Sequence, residues 1–475
     1  MFSIVLIALP LLLAGIAWRI RQEKALYLLL IGGMLCNSIL TGYALLHREQ
    51  SCFQWEGARL LYMDEMGAVL IGITALLFLL AAIYMISWMP LMRKNEKPQG
   101  EMQLHCIVTL LFALLGTMTL VFLAYNFGLL WVAVEATTLA SAPLILMRRS
   151  RASLEAMWKY ILICSVGIGL ALFGTMLAAS ALPIEIGEKG GLFFDTMKNA
   201  SNSLHPGWFK AAFIFVLAGY GTKLGLAPFH TWLPDTYSQS TAPIAALLAG
   251  GLVNCSFLAV YRFWNIVPPQ LTAFCKELLI VLGVLSLFVA AFFMIRQNEY
   301  HRLFAYSSIE HMGLAVLMLA VGMPELTQIH LAGHALCKML LFLMAGNILM
   351  GYQTRSVTGV TAMFETMPRN AVLLLIGLFC ICGTPPSPLF LTEFLLVSGC
   401  PFALGLTILL LLFAVFGGMS YSVLCMTMGT GSRPLSQECL RDGESLVKIP
   451  ILLTMLIVGY GLFLLLGQSV VLGRG

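Results

Sequence analysis

The chain has 475 residues, 60% of them apolar and only 10% charged, with a formal net charge of +5. A soluble domain carries about 25% charged residues and about 45–50% apolar ones, so this composition excludes a soluble globular protein and calls for lipid around most of the chain. The apolar runs are long and continuous, which excludes an alternating outer-membrane barrel. Helix is then the spanning form, because in hydrocarbon each backbone group must be satisfied within its own segment.

Apolar stretches near twenty residues predict an all-α polytopic membrane protein of about fourteen transmembrane helices. They fall at 2–18, 26–46, 66–90, 103–125, 127–147, 158–180, 209–229, 243–263, 271–294, 303–322, 326–350, 370–398, 402–427 and 448–467. The first run is followed by Arg19, Arg21 and Lys24. A cleaved signal peptide has its positive charges before the apolar run, so this one reads as the first span.

The connections orient the chain through the excess of Lys and Arg in cytoplasmic loops. With the N-terminus outside, seventeen basic residues fall in cytoplasmic connections: Arg19, Arg21, Lys24, Arg93, Lys94, Lys97, Arg148, Arg149, Arg151, Lys159, Arg296, Arg302, Arg355, Arg369, Arg433, Arg441 and Lys448. Eight face the other side: Arg48, Arg59, Lys189, Lys198, Lys210, Arg262, Lys276 and Arg474. Both termini are thus expected on the outer face of a bacterial-type inner (plasma) membrane. The longest outer loop, 181–208, is too small for a domain.

Twelve cysteines are present, most inside apolar runs (Cys106, Cys164, Cys255, Cys337), and Cys380 with Cys382 forms an isolated CxC. Small buried apolar residues explain them better than a disulfide framework or an iron–sulfur site. Neither GxGxxG nor GxxxxGK[ST] occurs, so no nucleotide loop, metal or cofactor is expected. Basic patches with interleaved aromatics are missing, so nucleic acid is no partner.

Ionisable residues at a span centre cost about 2.5–3.5 kcal/mol on insertion scales and are tolerated against other helices, water or an opposite charge. Glu135, Lys223, His330, His334, Lys338 and Glu393 lie well inside spans, with Glu310 and His311 nearer a helix end. Glu135 admits two readings: an ion pair that locks two helices, or a proton-handling carboxylate. Lys223 is followed by Pro228 and Pro234, with His230 between them. Proline removes a backbone donor and clashes with the preceding turn, so this span is expected to break, as helices do where they line ion sites.

His330, His334 and Lys338 follow at i, i+4 and i+8, which places them on one helical stripe. Two histidines at i, i+4 can bind zinc, but no HExxH glutamate accompanies them. Glu393 follows Pro385 and Pro386 in GTPPSPLFLTEF, a second expected break with a second buried charge. Burial disfavours the charged form and a nearby opposite charge restores it. Moving that partner lets such a group take up or release a proton.

These residues bring a family into view. The runs GYGTKLGLAPFHTWLPDTYSQSTAPIAALLAGGLVNC, RLFAYSSIEHMG, HLAGHALCKMLLFLMAGN and GTPPSPLFLTEF resemble the antiporter-like subunits of respiratory complex I, Mrp sodium/proton antiporters and membrane-bound hydrogenases. SIEHMG and AGGLVNC most resemble the hydrogenase-4 component F type. The resemblance implies two inverted five-helix repeats, at about 103–263 and 271–427, flanked by 1–90 and 448–475, with helices 7 and 12 broken. It implies that Glu135 pairs with Lys223, that Lys338 with His334 carries protons centrally, and that Glu393 serves the exit half-channel. Asn254 stands where many complex I relatives place a lysine or histidine, which leaves water or His330 and His334 to link the half-channels. Glu393 is a lysine in some relatives. With only a few residues after the last expected span, the largest complex I antiporter-like subunit, which carries a long lateral helix, is not the expected relative.

The function implied is proton translocation within a membrane-bound oxidoreductase complex, with no redox centre of its own. Its expected partners are other membrane subunits, a peripheral redox arm, the lipid bilayer and protons. The alternatives are an Mrp-type antiporter subunit with sodium as second ion, a proton-driven module energising another transport partner, and a purely structural membrane scaffold.

Overall fold

The computed structural model describes residues 2–48, 51–55, 57–95, 102–187, 191–429 and 437–472. Of the basic loop residues used above, Lys97, Lys189, Arg433 and Arg474 lie outside these. Among the described residues, twelve helices are long and apolar enough to cross a membrane: Phe2–Arg19, Glu23–Leu46, Glu65–Lys94, Leu104–Leu123, Phe127–Ile145, Arg151–Ser180, Ala242–Trp264, Pro269–Met294, Tyr300–Val321, Pro324–Tyr352, Phe402–Met428 and Lys448–Leu466. The other two expected spans are interrupted. One divides into Pro206–Leu224 and Trp232–Gln239, the other into Pro368–Ile381 and Pro388–Gly399.

The chain forms two units, each with its own buried interior. The first comprises Met1–Ala82, Gly100–Gln239 and Gly251–Val281. In it Arg151–Ser180 packs closely along Pro206–Leu224. A Cβ on Gly174 would lie 2.7 Å from the Val216 amide nitrogen, and one on Gly167 2.7 Å from Thr222 Cβ. Small residues at such spacing let two membrane helices approach backbone to backbone, and here they hold the helix carrying Lys223.

Helix Arg151–Ser180 starts seven residues before the expected 158. Lys159, counted above with the cytoplasmic connections, lies on this helix. It pairs with Glu155 at 2.7 Å and Asp235 at 3.1 Å. Arg262, counted from sequence on the outer side at the end of the span 243–263, is 1% exposed near the end of its helix. It bonds the Asp64 carboxylate at 3.1 and 3.2 Å and the carbonyls of Val121 (3.2 Å), Phe122 (2.8 Å) and Ala124. Sequence could not separate a helix-end arginine in water from one turned inward on a partner 198 residues away.

A short antiparallel hairpin, Cys52–Trp55 with Ala58–Tyr62, lies between two spans where no strand was expected. Arg59 leaves it to grip Asp195 with both ends of its guanidinium, Nε at 2.7 Å, while stacking 4.4 Å above the Tyr62 ring. That pairing ties the hairpin to the short helix Phe194–Asn199 within the 181–208 loop.

The second unit comprises Ile83–Gln99, Ser240–Gly250 and Leu282–Gly475. Its centre is Pro324–Tyr352, which packs against Tyr300–Val321, Pro368–Ile381, Pro388–Gly399 and Gln437–Ser445. A buried polar chain anchors its far end: Tyr84 donates to Asn347 Oδ1 at 2.7 Å, Asn347 to Asn370 Oδ1 at 2.9 Å, and Asn370 to Glu444 at 2.7 Å. Each buried polar atom in that chain finds a partner, which fixes the helix in rotation and height.

Candidate functional site

Both interrupted helices stop in the same way. Gly225 sits at φ +84°, and the amides of Gly225 and Leu226 fold back on the carbonyls of Thr222 (3.1 Å) and Gly221 (2.9 Å). Gly383 sits at φ +60°, and the Thr384 amide returns to the Phe379 carbonyl at 3.0 Å. This is the left-handed glycine cap that satisfies orphan carbonyls at a helix end. The helices therefore end at the glycines. Pro228 and Pro386 follow three residues later, each after a cis bond (Ala227–Pro228, Pro385–Pro386), and Pro234 lies in the first turn of the next segment. The stops fall at the glycines, where the sequence reading credited proline alone.

One carbonyl per break is then taken up by a side chain from beyond it. Trp232 Nε1 donates to Thr222 O at 2.8 Å, and Ser387 Oγ donates to Cys380 O at 2.8 Å. Ser387 also caps the second segment by accepting from the Leu389 amide.

Lys223, two residues before Gly225, is fully buried. Its ammonium donates to Thr137 Oγ1 at 2.8 Å, Thr138 Oγ1 at 2.5 Å and the Val134 carbonyl. Glu135 does not meet it directly: among the described residues no ion pair joins the two. Thr138 instead donates to Glu135 Oε2 at 3.3 Å, and Ser165 donates to Oε1 at 3.1 Å. The implied pair is thus a relay of ammonium, hydroxyl and carboxylate. His230 is buried in the break. Asn254 is fully buried just past a π-helical turn, Leu248–Leu252, in its own helix.

In the second unit the stripe His330, His334 and Lys338 is fully buried, as are His311 and, at 3% exposed, Glu310. Lys338 donates to Phe304 O at 2.8 Å and to Ser307 Oγ. The His334 ring lies 5.2 Å from that of His311, and neither of its nitrogens bonds a protein group. His311 Nδ1 is 3.3 Å from His330 Nε2 and 4.0 Å from Glu393 Oε1; its Nε2 donates to Ile381 O at 3.0 Å. His330 Nδ1 reaches Thr392 Oγ1 at 2.9 Å.

Lys338, His334, His311 and Glu393 therefore form one series, with His330, itself bonded to Thr392, against His311 from the side. His311, only accessory in sequence, is its junction. The signal was its place on the next helix, which no spacing rule relates to His334. Among the described residues no group of three His, Cys, Asp or Glu side chains is placed to hold a metal.

The second break and its carboxylate interlock: a Cβ built on Gly383 would meet the Glu393 carboxyl group. Gly383→Ala combines that clash with a left-handed backbone that costs an L-residue about 1–2 kcal/mol. It is expected to lower thermal stability in detergent, measured by size exclusion after heating, more than Gly417→Ala, where the added methyl meets nothing within 4 Å.

Residues 124–420 match the family described as NADH:quinone oxidoreductase/Mrp antiporter, transmembrane, a stretch that includes both breaks, Glu135, Lys223, His311, His330, His334, Lys338 and Glu393. The chain belongs to this family. Like others of the NADH:quinone oxidoreductase/Mrp antiporter family, it is a multi-pass membrane protein. It is 36% identical over 293 residues to a hydrogenase-4 component F homolog from Methylacidiphilum infernorum, covering 60% of this chain and 61% of that one. It is 26% identical over 385 residues to hydrogenase-4 component B of Escherichia coli, covering 77% and 55%. The chain thus spans less than two thirds of the length of either relative. Its fold is like that of a chain in the membrane-bound sulfane sulfur reductase, an archaeal respiratory membrane complex, with a TM-score of 0.84 at 20% identity over 97% of this chain and 94% of that one.

Proposed function

We propose that this chain is a proton-translocating, antiporter-like subunit of a membrane-bound oxidoreductase complex of the hydrogenase-4 or complex I kind. The observation that carries the reading is a matched pair of buried lysines. Each is held by neutral oxygens, and each leads through hydroxyl or imidazole groups toward a carboxylate. A buried ammonium without a directly paired carboxylate is held by little, so a small displacement of the linking groups changes whether it keeps its proton. Glu135, Thr138 and Lys223 make one such series; Lys338, His334, His311 and Glu393 make the other. Redox energy would arrive through contact with neighbouring subunits and a peripheral redox arm.

The two caps, each a left-handed glycine followed three residues later by proline, support the reading of two repeats at about 103–263 and 271–427. The 36% identity to a hydrogenase-4 component F homolog favours the hydrogenase side of the family.

The test uses the complex purified under mild detergent and reconstituted in proteoliposomes, with proton uptake followed by a pH-sensitive dye. Glu135→Gln removes the charge that accepts from Thr138 and Ser165. Hydrogen bonds to charged groups contribute about 1.5–3 kcal/mol, so flux should fall about tenfold or more. Unchanged flux would make Glu135 a structural residue and overturn the role given to it.

The family description also takes in Mrp antiporters, in which sodium would be the second ion. Sodium-dependent collapse of an imposed pH gradient in the same vesicles would favour that reading. We also place both termini on the outer face of the inner membrane. An alkaline phosphatase fused at the C-terminus should be active, and one fused in the 95–102 connection inactive; the reverse pattern would invert the orientation.

A further inference from the structure

A cavity of about 290 Å³ opens beside the second break, lined by Cys382, Gly383, Thr384, the helix Pro388–Gly399 and the helix Phe402–Met428. That is near the small end of the roughly 300–1,000 Å³ typical of ligand pockets. Its rim is apolar and outward-facing: Phe394 and Phe413 are 58% and 64% exposed. On a spanning segment such side chains meet hydrocarbon, so the pocket is entered from the lipid side.

One lining residue is charged, Glu393. The residue is 7% exposed; among the described residues its buried Oε1 makes no hydrogen bond, His311 standing 4.0 Å away with its Nδ1 toward His330, and Oε2 lies against Gly383 at the pocket wall. The other polar groups of the lining are already engaged. Thr384 Oγ1 donates to Phe379 O at 2.8 Å, and Cys382 Sγ lies 3.7 Å from Met419 Sδ. The pocket therefore offers apolar walls and one carboxyl acceptor, Glu393.

We propose that this pocket binds a small lipophilic ammonium, with the ammonium on Glu393 and the apolar body between Phe394, Leu409, Leu412 and Phe413. A charged hydrogen bond in a water-poor site discriminates strongly against the same body without the charge, since a buried acceptor left unpaired is penalised. A neutral alcohol of equal size gains the apolar contacts but not the ion pair. The proposal stands apart from the proton reading: a ligand can bind here whether or not the chain moves protons.

The experiment measures binding of tritiated 4-phenylbutylamine to the protein in nanodiscs by equilibrium dialysis, with empty nanodiscs subtracted. Saturable binding is expected, weakened about tenfold or more in Glu393→Gln and in Leu412→Trp, which fills the cavity. 4-Phenylbutanol should compete only at concentrations about tenfold higher or more. No saturable component above empty nanodiscs, unchanged affinity in Glu393→Gln, or equal competition by the alcohol would each overturn the proposal. The alcohol competition needs no variant, so it decides the matter even if Glu393→Gln assembles poorly.

Discussion

Lys338→Gln is expected to lower proton flux about 10²-fold, the low end of what a positioned proton-transfer group contributes, while the complex still assembles. Lys338 is fully buried, and its ammonium bonds the Phe304 carbonyl and Ser307. Glutamine has nearly the length to keep one of those bonds and most of the packing, but its amide cannot carry a proton. The loss would then belong to proton transfer and not to a cavity. Lys338→Ala should show the same flux loss together with reduced stability, because it empties the buried space of the side chain and removes the donor to Ser307 Oγ, while Phe304 O keeps Ser307 Oγ at 3.2 Å. The readouts are dye-monitored flux in proteoliposomes and co-migration of subunits on a native gel. Wild-type flux in Lys338→Gln would remove this lysine from the path.

The same variants order the series beyond it. His334 lies one helical turn back, with neither nitrogen bonded to a protein group, so both are open to exchange a proton. His311 is different: Nδ1 and Nε2 are engaged by His330 and Ile381 O. A proton reaching Glu393 by this route must pass a ring whose orientation is set by its neighbours, so moving the helix Pro388–Gly399 would alter the 4.0 Å gap between His311 and Glu393.

What could be read from the sequence follows the range of each interaction. Spans are local: an apolar run long enough to cross is visible residue by residue, and the helical segments fall within a few residues of expectation except at Arg151–Ser180. The breaks were legible because proline announces them, yet the stopping residues are Gly225 and Gly383, whose role needs a left-handed φ that sequence does not display. The stripe at 330, 334 and 338 was legible because helical periodicity fixes it. The partner of Lys223 was only half legible. A glutamate in the right span suggested an ion pair, but the threonines at 137 and 138 take the ammonium, and their hydroxyls are ordinary helix surface until the neighbouring helix is in place. The hairpin Cys52–Trp55 with Ala58–Tyr62 was invisible because its strands are four and five residues long, too short for a period to register.

Arg262 is the largest such miss, and its removal is expected to be the most destabilising change in the chain. Truncating one partner of a buried ion pair costs about 3–5 kcal/mol, because the other charge is left without compensation. Here the guanidinium also closes the end of the helix Leu104–Leu123, donating to the carbonyls of Val121, Phe122 and Ala124. Those are the orphan acceptors of a last helical turn, where the backbone dipole favours a cation. Arg262→Ala removes this donor from all three carbonyls at once and leaves Asp64, 18% exposed, with the Gly67 amide at 2.9 Å. Asp64→Asn keeps the arginine on its carbonyls and should cost less. Arg262→Lys should fall between wild type and alanine, since one ammonium cannot reach five acceptor sites in two directions. The ranking is measured as the fraction surviving heating in detergent, by size exclusion. Flux per surviving complex should stay within about twofold of wild type for Asp64→Asn, a difference of under about 0.5 kcal/mol. If Arg262→Ala survives heating as wild type does, the arginine is not what joins Asp64 to the end of that helix.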